Sequence, residues 1–132
     1  MLLIDTNIII DVLGEDPVWS DRAARQMRFQ SRVHELVINP LIYAELSPSF
    51  ASVPELDASI NGLELTYREL PRTALFVAGV AHRHYRRAGG PRQSILADFL
   101  IGAHAAVMGC GILTRDPRRY RSYFPAVEVI AP

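Results

Sequence analysis

Four carboxylates in this 132-residue sequence stand where a parallel sheet would collect side chains. Asp5 directly follows the apolar run Leu2-Leu3-Ile4, and Asp116 follows Ile112-Leu113 and the polar pair Thr114-Arg115. Glu45 comes shortly after a second apolar run, Leu36-Val37-Ile38, and Asp98 interrupts an apolar segment of helical period. Ligands of open parallel sheets sit just beyond the carboxyl ends of the strands, so acids delivered there share one edge. Carboxylates packed together repel, and they cannot all stay ionised without a compensating charge. A hard divalent cation, Mg2+ or Mn2+ held partly by water, supplies that charge. Such an ion orients a phosphodiester, neutralises its developing charge and activates a water molecule. Hydrolysis of a nucleic acid is therefore the chemistry to expect, and the lack of a GxxxxGK[ST] loop argues against an NTPase.

The elements that must position these acids can be read from apolar patterning. Short all-apolar runs without polar alternation, as at 2–4, 36–38 and 112–113, suit strands buried on both faces of a parallel sheet. Leu63-Glu64-Leu65-Thr66 alternates and fits a third strand at a sheet edge, and 127–130 fits a last one. Between them, helices are expected from Thr6 to a stop at Gly14, and from an Asp16-Pro17 start to about Gln30. Others should run from Pro40 to Leu46, around Pro54 to Ile60, from Pro71 to about Ala88, and from a Ser94 cap through Val107. The alternation predicts an α/β fold, a three-layer α/β/α sandwich around a parallel sheet of about five strands, in one domain spanning 1–132. Gly102 and Ala105, four and seven residues beyond Asp98, should let another backbone approach and leave a gap into which Asp98 points. Asp5 is expected to serve the site, with the cap of the first helix falling to Thr6 or to no residue.

Composition narrows the class further. No apolar run is long enough to span a bilayer and there is no signal-type amino terminus, so a cytoplasmic protein without membrane contact is expected. The single cysteine excludes a disulfide framework. Net charge is zero but unevenly spread: residues 1–70 carry −6 and residues 71–132 carry +6. All 14 basic residues are arginine, whose planar fork suits phosphate. Arg86, Arg87 and Arg92 around the end of one helix, and Arg115, Arg118 and Arg119 at a stretch where Arg118, Arg119 and Arg121 alternate with Tyr120 and Tyr123, are the candidates for RNA contact.

Ile4-Asp5-Thr6-Asn7, Glu45, Ala97-Asp98-Phe99-Leu100-Ile101 and Leu113-Thr114-Arg115-Asp116 together resemble the four acidic motifs of PIN-domain ribonucleases. Size and motif order are most similar to the VapC-type toxins of toxin-antitoxin pairs, over residues 1 to 130. The resemblance implies a metal-dependent endoribonuclease with catalytic Asp5, Glu45, Asp98 and Asp116. It further implies Mg2+ or Mn2+ on Asp5, Asp98 and Asp116, with Thr6, Asn7 and Thr114 supporting ligands or water. An RNA substrate, a homodimer and a cognate antitoxin that blocks the site would be the partners. Two alternatives remain at this point: a non-catalytic RNA-binding module, and a Mg-binding receiver-like signalling domain, which would want a lysine this chain lacks.

Overall fold

The computed structural model describes residues 1–90 and 96–132, so the expected RNA contact at Arg92 and the cap at Ser94 lie outside the described residues. The element order is β1 (Leu2–Ile4), α1 (Thr6–Leu13), α2 (Trp19–Ser31), β2 (Leu36–Ile38), α3 (Pro40–Leu46), a 3-10 turn (Ser47–Ser49), α4 (Val53–Gly62) and β3 (Thr66–Tyr67). It continues with α5 (Arg72–Arg87), α6 (Leu96–Met108), β4 (Gly111–Leu113), α7 (Arg118–Tyr123) and β5 (Val129–Ile130).

All strand pairs are parallel, and the described sheet runs β3-β2-β1-β4-β5. Leu2 pairs with Leu36 on one side and Gly111 on the other, and Ile4 pairs with Leu113. Every residue of β1 and β2 is buried, which is why these strands are apolar without alternation. Right-handed crossovers put the helices between β1 and β3 on one face of the sheet and those between β3 and β5 on the other. Chain order reverses between β1 and β4, and this switch point is where the carboxyl ends of two central strands leave a crevice. Receiver-type domains have the flavodoxin-like order, in which the first strand lies between the second and third. Here it lies between the second and fourth, which removes that alternative.

Three local expectations shift. The third strand falls at Thr66–Tyr67 because residues 63–65 turn off α4, with Glu64 at φ 57 and the Leu65 amide bonded to the Ile60 carbonyl. It is an exposed edge strand, as its alternating neighbours suggested. The last strand is only Val129–Ile130, since Val127 instead turns back to the Phe124 carbonyl. At α2, the Asp16 carboxylate accepts from the Val18 and Trp19 amides at 3.0 and 2.9 Å, but the helix begins only at Trp19 with Val18 as its N-cap, so Asp16-Pro17 lies in the turn before it.

Candidate active site

Asp5 ends β1 and is 6% exposed. Its Oδ1 accepts from the Thr6 amide at 2.8 Å, capping α1, while Oδ2 accepts from Thr114 Oγ1 at 2.8 Å and from the Tyr120 hydroxyl at 3.1 Å. The expectation that cap and site roles compete is thus corrected, because a carboxylate has two oxygens and each takes one role. Burial pushes the Asp5 carboxyl up to about 6; the Thr114 bond opposes this, and the nearby Asp98 charge adds to it.

Asp116 reaches the same place from β4. Thr114, fully buried at the end of that strand, accepts the Asp116 amide at 3.0 Å while donating to Asp5, so one hydroxyl joins the two strand ends. Asn7, in the first turn of α1, extends Nδ2 toward Asp116 Oδ2 at 3.3 Å and Asp5 Oδ2 at 3.5 Å, and its Oδ1 accepts the Arg115 amide at 3.1 Å. The three supporting polar residues expected from the sequence therefore all contact an acid, Thr6 through a 2.7 Å bond from its hydroxyl to Glu45 Oε1.

Glu45 and Asp98 come from helices. Asn39 caps α3, its Oδ1 accepting the Ile42 amide at 3.0 Å, and its Nδ2 lies 3.3 Å from His104 Nδ1 on α6. Both side chains are buried, so the helix carrying Glu45 is tied to the helix carrying Asp98. This pairing needs an unprotonated Nδ1 to accept from the amide, and burial lowers the pKa of His104 in the same sense. What fills the space beside Gly102 is the Phe124 ring and not a backbone, as a Cβ there would collide with that ring. Asp98 itself is half-buried and paired with Arg119 of α7. Burial raises its carboxyl, Arg119 opposes the rise and the Asp116 charge adds to it.

Asp98, Asp116, Arg118, Arg119, Ser122 and Tyr123 line a groove of about 450 Å3. Two of the arginines expected to face RNA therefore stand at the acids, whereas Arg86 and Arg87 are exposed in the last turn of α5. The guanidinium of Arg115 turns instead to Asp11 of α1, 3.1 Å away, and its Cζ lies 4.9 Å from the centre of the Trp19 ring.

Among the described residues no group of three or more His, Cys, Asp or Glu side chains is arranged to hold a metal ion. The donor set nonetheless suits a hard cation. Asp5, Asp98 and Asp116 offer only oxygens, carry mutually repelling charges, and have Arg119 as the compensating cation, which an ion would replace at Asp98. Tyr120 was read from the sequence only as an aromatic for RNA, yet it is 2% exposed. Burial, then Asp5, Asp98 and Glu45, push its phenol upward, so it stays a hydrogen-bond donor to Asp5. Its position three residues past Pro117, in a short helix that must pack on the sheet, was the available signal.

The sequence matches the model of the PIN domain over residues 2–125. A comparison with curated proteins gave no match. Among solved structures, the chain resembles one in VapBC2 from Rickettsia felis bound to a DNA fragment from their promoter, with a TM-score of 0.77, 15% identity, and coverage of 99% of this chain and 98% of that one. It also resembles one in DNA-bound VapBC from Salmonella typhimurium, with a TM-score of 0.71, 20% identity, and coverage of 98% and 96%. A third is in FitAcB from Neisseria gonorrhoeae, with a TM-score of 0.66, 20% identity, and coverage of 98% and 96%. At these identities the likeness is one of fold.

Proposed function

The chain belongs to the PIN-domain family, and from that premise we propose that it is a metal-dependent endoribonuclease acting in the cytoplasm as the VapC-type toxin of a toxin-antitoxin pair. One observation carries the reading: Asp5 and Asp116 follow adjacent central strands at the switch point and share the Thr114 hydroxyl, and Asp116 lines a groove together with Asp98, Arg118 and Arg119.

Asp5, Asp98 and Asp116 would hold Mg2+ or Mn2+. When bound, such an ion supplies positive charge to the phosphoryl oxygens and acidifies water. The protein does the rest. Thr114 and Tyr120 fix Asp5 in one orientation by donating to the same oxygen, so no reorganisation is needed as the substrate enters. Thr6 holds Glu45 by its hydroxyl, leaving the exposed carboxylate to orient water or take its proton. Arg118 and Arg119, at the groove wall, meet the phosphate chain, and Arg119 becomes free for this when it leaves Asp98.

The antitoxin assignment is supported by the similar structures, which include a toxin-antitoxin complex from Klebsiella pneumoniae and a member of the VapBC toxin-antitoxin family from Mycobacterium tuberculosis. A homodimer fits the apolar side chains that α5 leaves exposed, Leu75 and Phe76. No helix among the described residues is long and apolar enough to cross a membrane.

The test is cleavage of RNA by purified protein with Mn2+, with sequencing of the new ends to identify the target. Asp5→Asn and Asp98→Asn should abolish cleavage and retain RNA binding. Unchanged cleavage in either variant overturns the active-site assignment, and binding without cleavage by the parent favours a non-catalytic RNA-binding module.

A further inference from the structure

Arg115 stands between Thr114 and Asp116, but its side chain serves neither the groove nor the acids. Its Nη1 donates to Asp11 Oδ1 at 3.1 Å, and the guanidinium lies over the Trp19 indole, 4.9 Å from the ring centre. Asp11 is 8% exposed, and its second oxygen has no hydrogen-bond partner among the described residues, so this carboxylate depends on Arg115 for compensation. Asn7 and Asp11 are four residues apart on α1 and therefore share one helix face. Both grip the same residue: Asn7 Oδ1 accepts the Arg115 amide at 3.1 Å and Asp11 takes the guanidinium. Trp19 adds the start of α2 to the grip.

We propose that Arg115 is a positioning residue, whose guanidinium, held between the Asp11 carboxylate and the face of Trp19, keeps the segment from Thr114 to Asp116 in the place where Asp116 meets Asp5. This rests on the nuclease reading above, and it gives Arg115 a role other than RNA contact. Among the described residues, the segment carries two groups of the proposed site on a stretch without ladder bonds of its own beyond the Thr114 amide, which bonds to Ile130. Thr114 and Asp116 are also held by their side chains, through Asp5 and Asn7, and between them Arg115 adds its amide on Asn7 and its guanidinium on Asp11 and Trp19. A planar fork that pairs on its edge and stacks on its face suits this task, and lysine would reproduce only the pairing.

The experiment compares the parent with Arg115→Met, Arg115→Lys, Asp11→Asn and the double variant Asp11→Asn/Arg115→Met. Three quantities are read: melting temperature, amide hydrogen exchange at Arg115 and Asp116, and kcat and KM with Mn2+ on an RNA oligonucleotide carrying the parent's cleavage site. Arg115→Met should melt lower, exchange both amides about tenfold faster, and lose about tenfold or more in kcat with KM within about twofold. Arg115→Lys should recover part of kcat. The double variant no longer buries an unpaired carboxylate, so it should regain melting temperature without regaining kcat or protection. Recovery of kcat together with melting temperature shows a merely structural pair and overturns the proposal. A raised KM at unchanged kcat shows an RNA contact and overturns it equally, as does unchanged exchange at the two amides. If the parent itself cleaves no RNA, the nuclease reading fails, and the exchange comparison still decides whether Arg115 holds the segment.

Discussion

Thr114 Oγ1 donates to Asp5 Oδ2 at 2.8 Å, binding the ends of two strands whose residues are 109 apart in sequence. The same oxygen accepts the Asp116 amide, so it belongs at once to the sheet and to the acids. Thr114→Val keeps the shape and removes the oxygen. The variant is expected to lose about 1–2 kcal/mol of stability in urea unfolding, since the Asp116 amide and the buried Asp5 carboxylate each lose a partner. Cleavage should fall while RNA binding persists. An unchanged urea midpoint would refute the link.

Asp5→Asn should make the metal-free protein more stable at neutral pH. The Asp5 carboxyl is raised to about 6 in the folded state, above its ordinary value of 3.8. Between these values the native protein binds more protons than the unfolded chain, so this group's contribution falls as pH rises through the window and the full penalty is present above about 6. Asn carries no charge to bury. The stability of the variant relative to the parent should rise by up to ~3 kcal/mol from pH 4 to pH 7, at about 1.4 kcal/mol per pKa unit, from a starting value lowered by the bonds that the Asn amide nitrogen cannot accept from Thr114 and Tyr120. Melting curves from pH 3.5 to 7.5 measure it. Mn2+ should raise the melting temperature of the parent and not of the variant.

His104 gives a pH dependence of the opposite sign. Its folded-state pKa is lowered by burial, so the unfolded chain binds the proton more readily. Its contribution to stability is complete above the ordinary value of 6.5 and declines as pH falls below it. His104→Gln should remove this acid-side loss, so the stability difference, variant minus parent, should grow from pH 7.5 to 5.5. A difference constant with pH would show that the Asn39 to His104 contact does not sense protonation.

Arg119→Gln separates the two roles of its guanidinium. Without the ion pair, Asp98 is open to a cation, and Mn2+ should bind several-fold more tightly by calorimetry, an effect kept modest because both side chains are partly exposed. RNA should meanwhile bind more weakly, with a KM rise of about tenfold for one lost charge-assisted phosphate contact. Weaker Mn2+ binding would mean that Arg119 supports the ion's site and does not compete for it.

The sheet was legible because its central strands rest on strong local signals, whereas the four acids proposed for the site are each weak signals alone and stood out only as an ordered set. Leu2-Leu3-Ile4 and Leu36-Val37-Ile38 have no polar alternation, and a carboxylate directly after such a strand has few places to go. The paired roles of Asp5 were not legible, because a sequence letter does not distinguish two oxygens. Tyr120 and Arg115 were read for their RNA chemistry, and their contacts with Asp5, Asp11 and Trp19 were not legible for a different reason. Residue type says what a side chain can bind, but the direction of a short helix or a bend, set by packing, decides what it meets. The Arg115 partnership still left a trace in the spacing of Asn7 and Asp11, a polar pair on one face of a helix that is apolar elsewhere beyond Thr6. The third strand slipped because the turn at Glu64 consumed the residues whose alternation suggested it.

β1 precedes β2 and β3 in the chain, yet its other neighbour in the sheet, β4, is made only after both of them. Helices α1 to α4 can form while the chain is still growing, but Asp5 acquires Thr114, Asp116 and Tyr120 only after the carboxyl-terminal segment has left the ribosome. A growing chain that has not yet reached β4 therefore carries these acids apart. Under the nuclease reading proposed above, the interval before β4 docks on β1 is one in which a partner could meet the protein before it is armed.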